Sequence, residues 1–236
     1  MPFPLAHPAA VLPLKRCCPR ALSLPALIIG SVSPDASYLF SPWEMSKFAH
    51  KFLGSLGFCL PAALVMLALF YALRKPVVEA LPPAYKRALQ PLCRRAPGPV
   101  GVLLLSLMLG IWTHLVWDSF THTEGWLVQH WPVLGMPVFS FAHRTAKVCH
   151  LLGYACSFVG VIVVFLSFER WKQSCLKPAA AVQGRTVLRD AAVAAGLVLP
   201  IAFVKHLFPG WLGLVLVAVM CVLLGCGLIL RMRRAQ

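Results

Sequence analysis

Residues 98–126 read GPVGVLLLSLMLGIWTHLVWDSFTHTEGW, and the first twenty of them contain no Asp, Glu, Lys or Arg. About 20 such residues, wound as a helix, cross roughly 30 Å of hydrocarbon. A second stretch, GSLGFCLPAALVMLALFYAL at 54–73, has the same character, with Pro61 predicting a kink. Stretches 151–168, 190–208 and 210–230 also qualify. The fourth is interrupted by Pro200 and Lys205 and turns at Pro209-Gly210 into the fifth. Segment 21–40, ALSLPALIIGSVSPDASYLF, is apolar but broken by Pro25 and Pro34, with Asp35 inside; it reads as a short buried or interfacial helix. A content of 59% hydrophobic and 12% charged residues, with mean hydropathy +0.78, agrees with lipid as the main solvent. The expectation is an all-α polytopic membrane protein with about five transmembrane helices. It forms one integral membrane domain over 1–236, residues 1–50 being an N-terminal segment and 51–236 the spans and their loops.

A net charge of +15 from 22 basic and 7 acidic residues raises the question of nucleic acid. Fourteen of the 22 fall in three places: six in 74–95, five in 170–189, and three in the tail at Arg231, Arg233 and Arg234. Counted from the span at 54, all three lie on one side, which the positive-inside rule makes cytoplasmic. The expected partner of this charge is membrane lipid with anionic headgroups, not nucleic acid. None of the nine Cys forms a CxxC pair, and Cys17-Cys18 is adjacent, so neither a metal-binding nor a disulfide framework is read. The N-terminus has its basic residues after its apolar ones, the reverse of a signal peptide, so Met1 is taken as the start of the mature chain.

With only seven acids in the chain, Asp35 and Asp118 in apolar surroundings are functional candidates, because an unpaired carboxylate beside lipid is costly. His114, Asp118 and His122 recur at i, i+4 and i+8. The first two lie on one helical face about 6 Å apart along the axis and can hold one ion. His114 and His122 would be about 12 Å apart on an unbroken helix. Either the helix ends near Asp118, or Asp118 bridges two ions with one His on each. For Asp35 the simpler reading is a first-turn acid behind a Ser33 cap and Pro34. His7 precedes Pro8, which predicts an extended backbone there. His50, His130, His143 and His150 fall on the same side of the membrane, opposite the basic loops, with His206 apart from them.

The segments MPFPLAHP, GSVSPD, HKFLGS and HLVWDSFTH together resemble a family of bacterial membrane proteins marked by that pattern, over nearly the whole chain. That family in turn resembles membrane-bound metal-dependent hydrolases and, more distantly, the zinc-dependent phospholipase C and S1/P1 nuclease group. The order of ligands in the phospholipase group is matched here by His7, Asp35, His50, the HxxxD pair His114 and Asp118, and His122. The late HxxxE of the group is absent, since no Glu stands in register with His143 or His150. The resemblance therefore implies one or two divalent metal ions, zinc by analogy, held by these six residues, with Asp35 and Asp118 also in the catalytic set. It implies water activated by metal attacking a phosphoester, in a site toward the outer face of a bacterial inner membrane. Arg144 is the nearest phosphate partner, and a lipid-linked substrate is expected.

Two other classes compete. A non-catalytic membrane protein could use the same cluster to bind metal or to tie helices together, and would have a closed coordination sphere. A transporter would need ionisable groups near the bilayer midplane, and the spans at 54–73, 98–113 and 210–230 have none.

Overall fold

The computed structural model describes residues 3–39, 44–141 and 144–176. A 3-10 turn at Pro4–Ala6 leads into α1 (Pro8–Cys17), followed by α2 (Leu24–Val32) and a second 3-10 stretch, Ser33–Leu39. Next come α3 (Glu44–Ala49), α4 (Phe52–Gly54), a π-helical stretch Ser55–Cys59, α5 (Leu60–Glu79) and α6 (Pro83–Cys93). The chain continues through α7 (Val100–Thr121), α8 (Trp126–His130), α9 (Pro132–Gly135), β1 (Pro137–Phe141), β2 (Arg144–Lys147) and α10 (Val148–Cys175).

Among the described residues three helices are long and apolar enough to cross a membrane: Phe52–Glu79, Val100–His130 and Val148–Cys175, of 28, 31 and 28 residues. They coincide with three of the five expected spans; those at 190–208 and 210–230 lie outside the described residues. The π-helical stretch sits just before Pro61, whose missing N–H and bulky ring disturb the ladder one turn earlier. Leu53, Val65, Leu105, Val116 and Val159 are at least half exposed along these helices, which suits a lipid-facing surface. The chain is predominantly helical, as expected, but the all-α reading needs one correction. The β1–β2 hairpin pairs antiparallel, with Ser140 opposite Thr145. Its short run of β-branched and aromatic residues alternates at period two, which a search for spans passes over.

Two compact units can be described. The first contains residues up to Met66 together with Gly98–Val164, and holds every candidate ligand among the described residues. There α2 runs beside α7 in the same direction, Ser23 level with Ser106 and Ser31 with His114. The two backbones touch: a Cβ on Gly30 would stand 2.3 Å from the Leu107 carbonyl oxygen, and one on Gly110 2.3 Å from that of Leu27. Small residues allow this approach, as they do generally between helices in lipid. The Ser23 N–H donates to Ser106 Oγ at 2.8 Å. The N-terminus is fixed to α10, where the Phe3 N–H donates to Ser157 Oγ at 2.7 Å and Gly160 faces Ala6. Lys15 donates to the carbonyls of Pro19 and Leu22, closing the turn between α1 and α2. Val11, Leu22 and Leu27 form one buried cluster, and Ala49, Cys59 and Ile111 another.

Among the described residues, the second unit contains Leu67–Pro97 and 165–176. The connector between the first two spans is a helix, α6. Its Tyr85 ring stacks on Phe168 at 6.2 Å and receives the Lys172 ammonium at 4.1 Å. That ammonium also pairs with the buried Glu169 carboxylate at 2.7 Å.

Candidate metal centre

α7 supplies the middle of the site. One helical turn separates His114 from Asp118, and both side chains are buried. The helix ends at Thr121, and His122 leaves it with an extended backbone, φ −115° and ψ 140°. Its ring turns back so that Nδ1 lies 3.5 Å from Asp118 Oδ1. Of the two alternatives left by the spacing, the first is met. The helix does stop, and Asp118 turns different oxygens to the two imidazoles, Oδ2 lying 3.2 Å from His114 Nε2.

The other segments converge on this pair. His7 stands between the first 3-10 turn and α1 with φ −57° and ψ −35°, helical and not extended as the following proline predicted. Its carbonyl accepts the Ala10 N–H at 3.0 Å, starting α1, and its ring stacks on His114 at 3.8 Å. These contacts outweigh the pre-proline preference. His7 Nε2 lies 3.8 Å from Asp118 Oδ1. Asp35 enters from the 3-10 stretch after α2, its Oδ1 3.9 Å from His114 Nε2. Ser33 is not a cap, because α2 runs directly into that stretch and the Ser33 hydroxyl donates back to the Gly30 carbonyl at 3.0 Å. His50, at the end of α3, brings Nε2 to 3.3 Å from Asp118 Oδ2. All six singled-out residues, from four segments, therefore meet around Asp118 and His114.

Two backbone carbonyls fix the electron pairs. His114 Nδ1 is 2.8 Å from the Ser31 carbonyl oxygen, and His50 Nδ1 is 2.8 Å from that of Ser46. A carbonyl can only accept, so each Nδ1 carries a proton, and the neutral form of each ring aims its Nε2 lone pair inward. This is the support that metal-bound histidines ordinarily receive. The two Nε2 atoms are 3.4 Å apart. With Asp118 Oδ2 they form a triangle of sides 3.2, 3.3 and 3.4 Å. Ligands about 2.0–2.1 Å from a tetrahedral ion stand about 3.3 Å from one another, so the triangle has the size of one coordination face.

Acceptors so close repel unless a cation lies among them. Both oxygens of Asp35, both oxygens of Asp118 and both nitrogens of His7 are buried with no hydrogen-bond partner. Orphaned acceptors of this kind call for explanation, and a metal ion is a direct one. Two overlapping groups, His7 with His114 and Asp118, and Asp35 with His50 and His114, have ligand atoms within 4.8 Å of one another and can hold a metal ion. Burial, and then the neighbouring His114, push the His7 imidazole down to about 4, keeping it neutral and able to donate a lone pair.

The two other described histidines stand apart. His130 stacks on Trp126 at 4.3 Å, with Nδ1 2.8 Å from the Trp126 carbonyl. His150 Nδ1 accepts the Lys147 N–H at 3.2 Å. His143, His206 and the side chain of Arg144 lie outside the described residues. Sequence reasoning passed over Tyr38, whose ring is 6.2 Å from His50 and whose hydroxyl is held protonated by burial and then by the Asp35 charge. Its place three residues after Asp35 was the available signal. The Ser31 and Ser46 carbonyls left no signal, because any residue has one.

No curated protein and no solved structure matches the chain. One family model, described as Domain of unknown function (DUF4184), matches residues 1–231, so the chain belongs to that family.

Proposed function

We propose that the protein is a membrane-bound, divalent-metal-dependent hydrolase of a phosphoester, with a lipid-linked substrate. The observation that carries the reading is the triangle of inward-facing acceptors, combined with an edge open to solvent. His114 and Asp118 have side chains 0% and 7% exposed, whereas His50 and His122 are 19% and 26% exposed. A purely structural site would be closed on all sides. His50, His114 and Asp118 Oδ2, with Asp35, would hold one ion; His7 and His122, on the Oδ1 side of Asp118, suit a second. Imidazole and carboxylate together favour zinc over calcium or magnesium. When bound, such an ion supplies Lewis acidity toward a phosphoryl oxygen and acidifies water toward neutrality.

The chain's own contributions follow from the geometry. Ser31 and Ser46 hold two imidazoles in the ligating tautomer, Asp118 orients both sides of the site, and Asp35 adds a carboxylate beside His114. A phosphoester is favoured by the ligand order and a lipid-linked one by the membrane setting. The distribution of basic residues supports a bacterial inner-membrane location, with the C-terminus cytoplasmic and the site toward the outer face.

The test is the metal content of detergent-purified wild type and Asp118→Asn, with hydrolysis of a chromogenic phosphodiester by each. Asn keeps the shape and removes the charge. Bound metal and turnover should both fall at least tenfold, with folding retained. Equal metal in both proteins, including zero in both, rejects the reading. Metal without turnover in wild type leaves a non-catalytic metal protein.

A further inference from the structure

Along α1, from Ala9 near its start to Arg16 and Cys17 at its end, a groove of about 230 Å³ is lined by Ala9, Leu12, Pro13, Arg16, Cys17 and Val163. Its walls are apolar except for one guanidinium at its end. α1 is ten residues long, so Arg16 lies roughly 14 Å along the helix from His7, in the direction away from the metal centre. The turn beyond it is level with Ser106, six residues or about 9 Å after the start of α7. An arginine there can snorkel toward the membrane surface while the groove extends back toward the bilayer interior.

The charge at this end has no protein counter-ion among the described residues. Lys15, Arg16 and Arg20 fall within six positions, and residues 8–32 contain no acid. Lys15 is occupied in closing the turn, while Arg16 and Arg20 are exposed and make no ion pair. The chain after Leu176 carries seven basic residues and one acidic one, so it is a poor source of the missing charge. An anion with an apolar tail meets both demands at once.

The geometry points to a binding site for an anionic phospholipid of the leaflet opposite the metal centre, with its phosphate on Arg16 and one acyl chain along Ala9, Leu12, Pro13 and Val163. Guanidinium pairs with phosphate through two parallel N–H donors, a geometry that choline-type headgroups partly cancel with their own cation. Occupation ties α1 to α10 and so supports the helix that begins at His7. The proposal does not depend on hydrolase activity.

The probes are phosphatidylglycerol and phosphatidylcholine added to the detergent-purified full chain, read by native mass spectrometry and by melting temperature. Wild type should retain phosphatidylglycerol through delipidating washes and melt higher with it than with phosphatidylcholine. Arg16→Gln should weaken retention about fivefold, the effect of one basic residue near an anionic headgroup. Leu12→Trp, which fills the groove, should lower retention further. Arg20→Gln, outside the groove, should change it by less than about twofold. Equal retention of the two lipids, or equal losses from Arg16→Gln and Arg20→Gln, would overturn the site. Stabilisation by inorganic phosphate alone as large as that by phosphatidylglycerol would show an anion site without lipid. Failure to retain any lipid would mean that another segment or a second copy covers the groove.

Discussion

Asp118 gives each of its carboxylate oxygens to a different pair of imidazoles, Oδ2 to His50 and His114, Oδ1 to His7 and His122. A single buried acid can face four histidines this closely where a cation, as proposed, lies among the lone pairs. The same burial sets the state of His7. Its pKa in the folded chain is about 4, against 6.5 when unfolded. Above pH 6.5 both states are neutral there and the residue adds no pH dependence. As pH falls through 6.5 toward 4, the unfolded chain binds a proton that the folded chain refuses, so stability is lost, by about 3 kcal/mol in all. The expected outcome, for protein stripped of metal with a chelator, is a melting temperature that declines across this window. His7→Gln should decline less steeply. Parallel pH profiles for the two proteins would show that His7 does not carry the effect.

At the scale of elements, the site depends on how closely α2 lies against α7. Gly110→Ala would drive a methyl into the Leu27 carbonyl, which is backbone and cannot swing aside. The helices must part, costing about 1–3 kcal/mol as overpacked interiors do. The 2.8 Å bond from His114 Nδ1 to Ser31 would stretch with them, so metal affinity should fall about 10–100-fold. Gly101→Ala, with nothing within 4 Å among the described residues, should be neutral or stabilising by about 0.5–1 kcal/mol. Isothermal metal titration beside melting curves separates the two; equal metal affinity in both would mean the close approach is irrelevant to the centre. This dependence also explains what the sequence made legible. His114 and Asp118 could be paired from spacing alone, because one helix fixes their distance. His7, Asp35 and His50 could be gathered only through a resemblance, because their distances arise from packing between segments. Where His122 would fall was undecided, since periodicity does not say where a helix stops. The β1–β2 hairpin was hidden because eleven residues between long spans carry too weak a pattern to stand out.

For the whole molecule, the proposed orientation rests on the three membrane-length helices and on the distribution of basic residues. In sequence α7 follows the basic stretch 74–95 and ends at the candidate metal centre, so the proposed orientation requires α7 to span. The energetic argument is the attraction of Lys and Arg to the anionic cytoplasmic surface, about 1 kcal/mol for each residue close to it. Six such residues in one loop give a strong bias, larger than single changes elsewhere can reverse. Two positions allow a direct check: Gln129 is exposed in α8 just after the candidate centre, and Lys86 is partly exposed in α6 on the basic stretch. In a cysteine-free background, Gln129→Cys should react with a membrane-impermeant maleimide in cells whose outer membrane alone is permeabilised. Lys86→Cys should react only once the inner membrane is also opened. The opposite pattern would turn the centre toward the cytoplasm, where its substrate would be a cytoplasmic phosphoester and the basic loops would need an anionic partner on the outer side. Labelling of both positions in intact inner membrane would mean that α7 does not span.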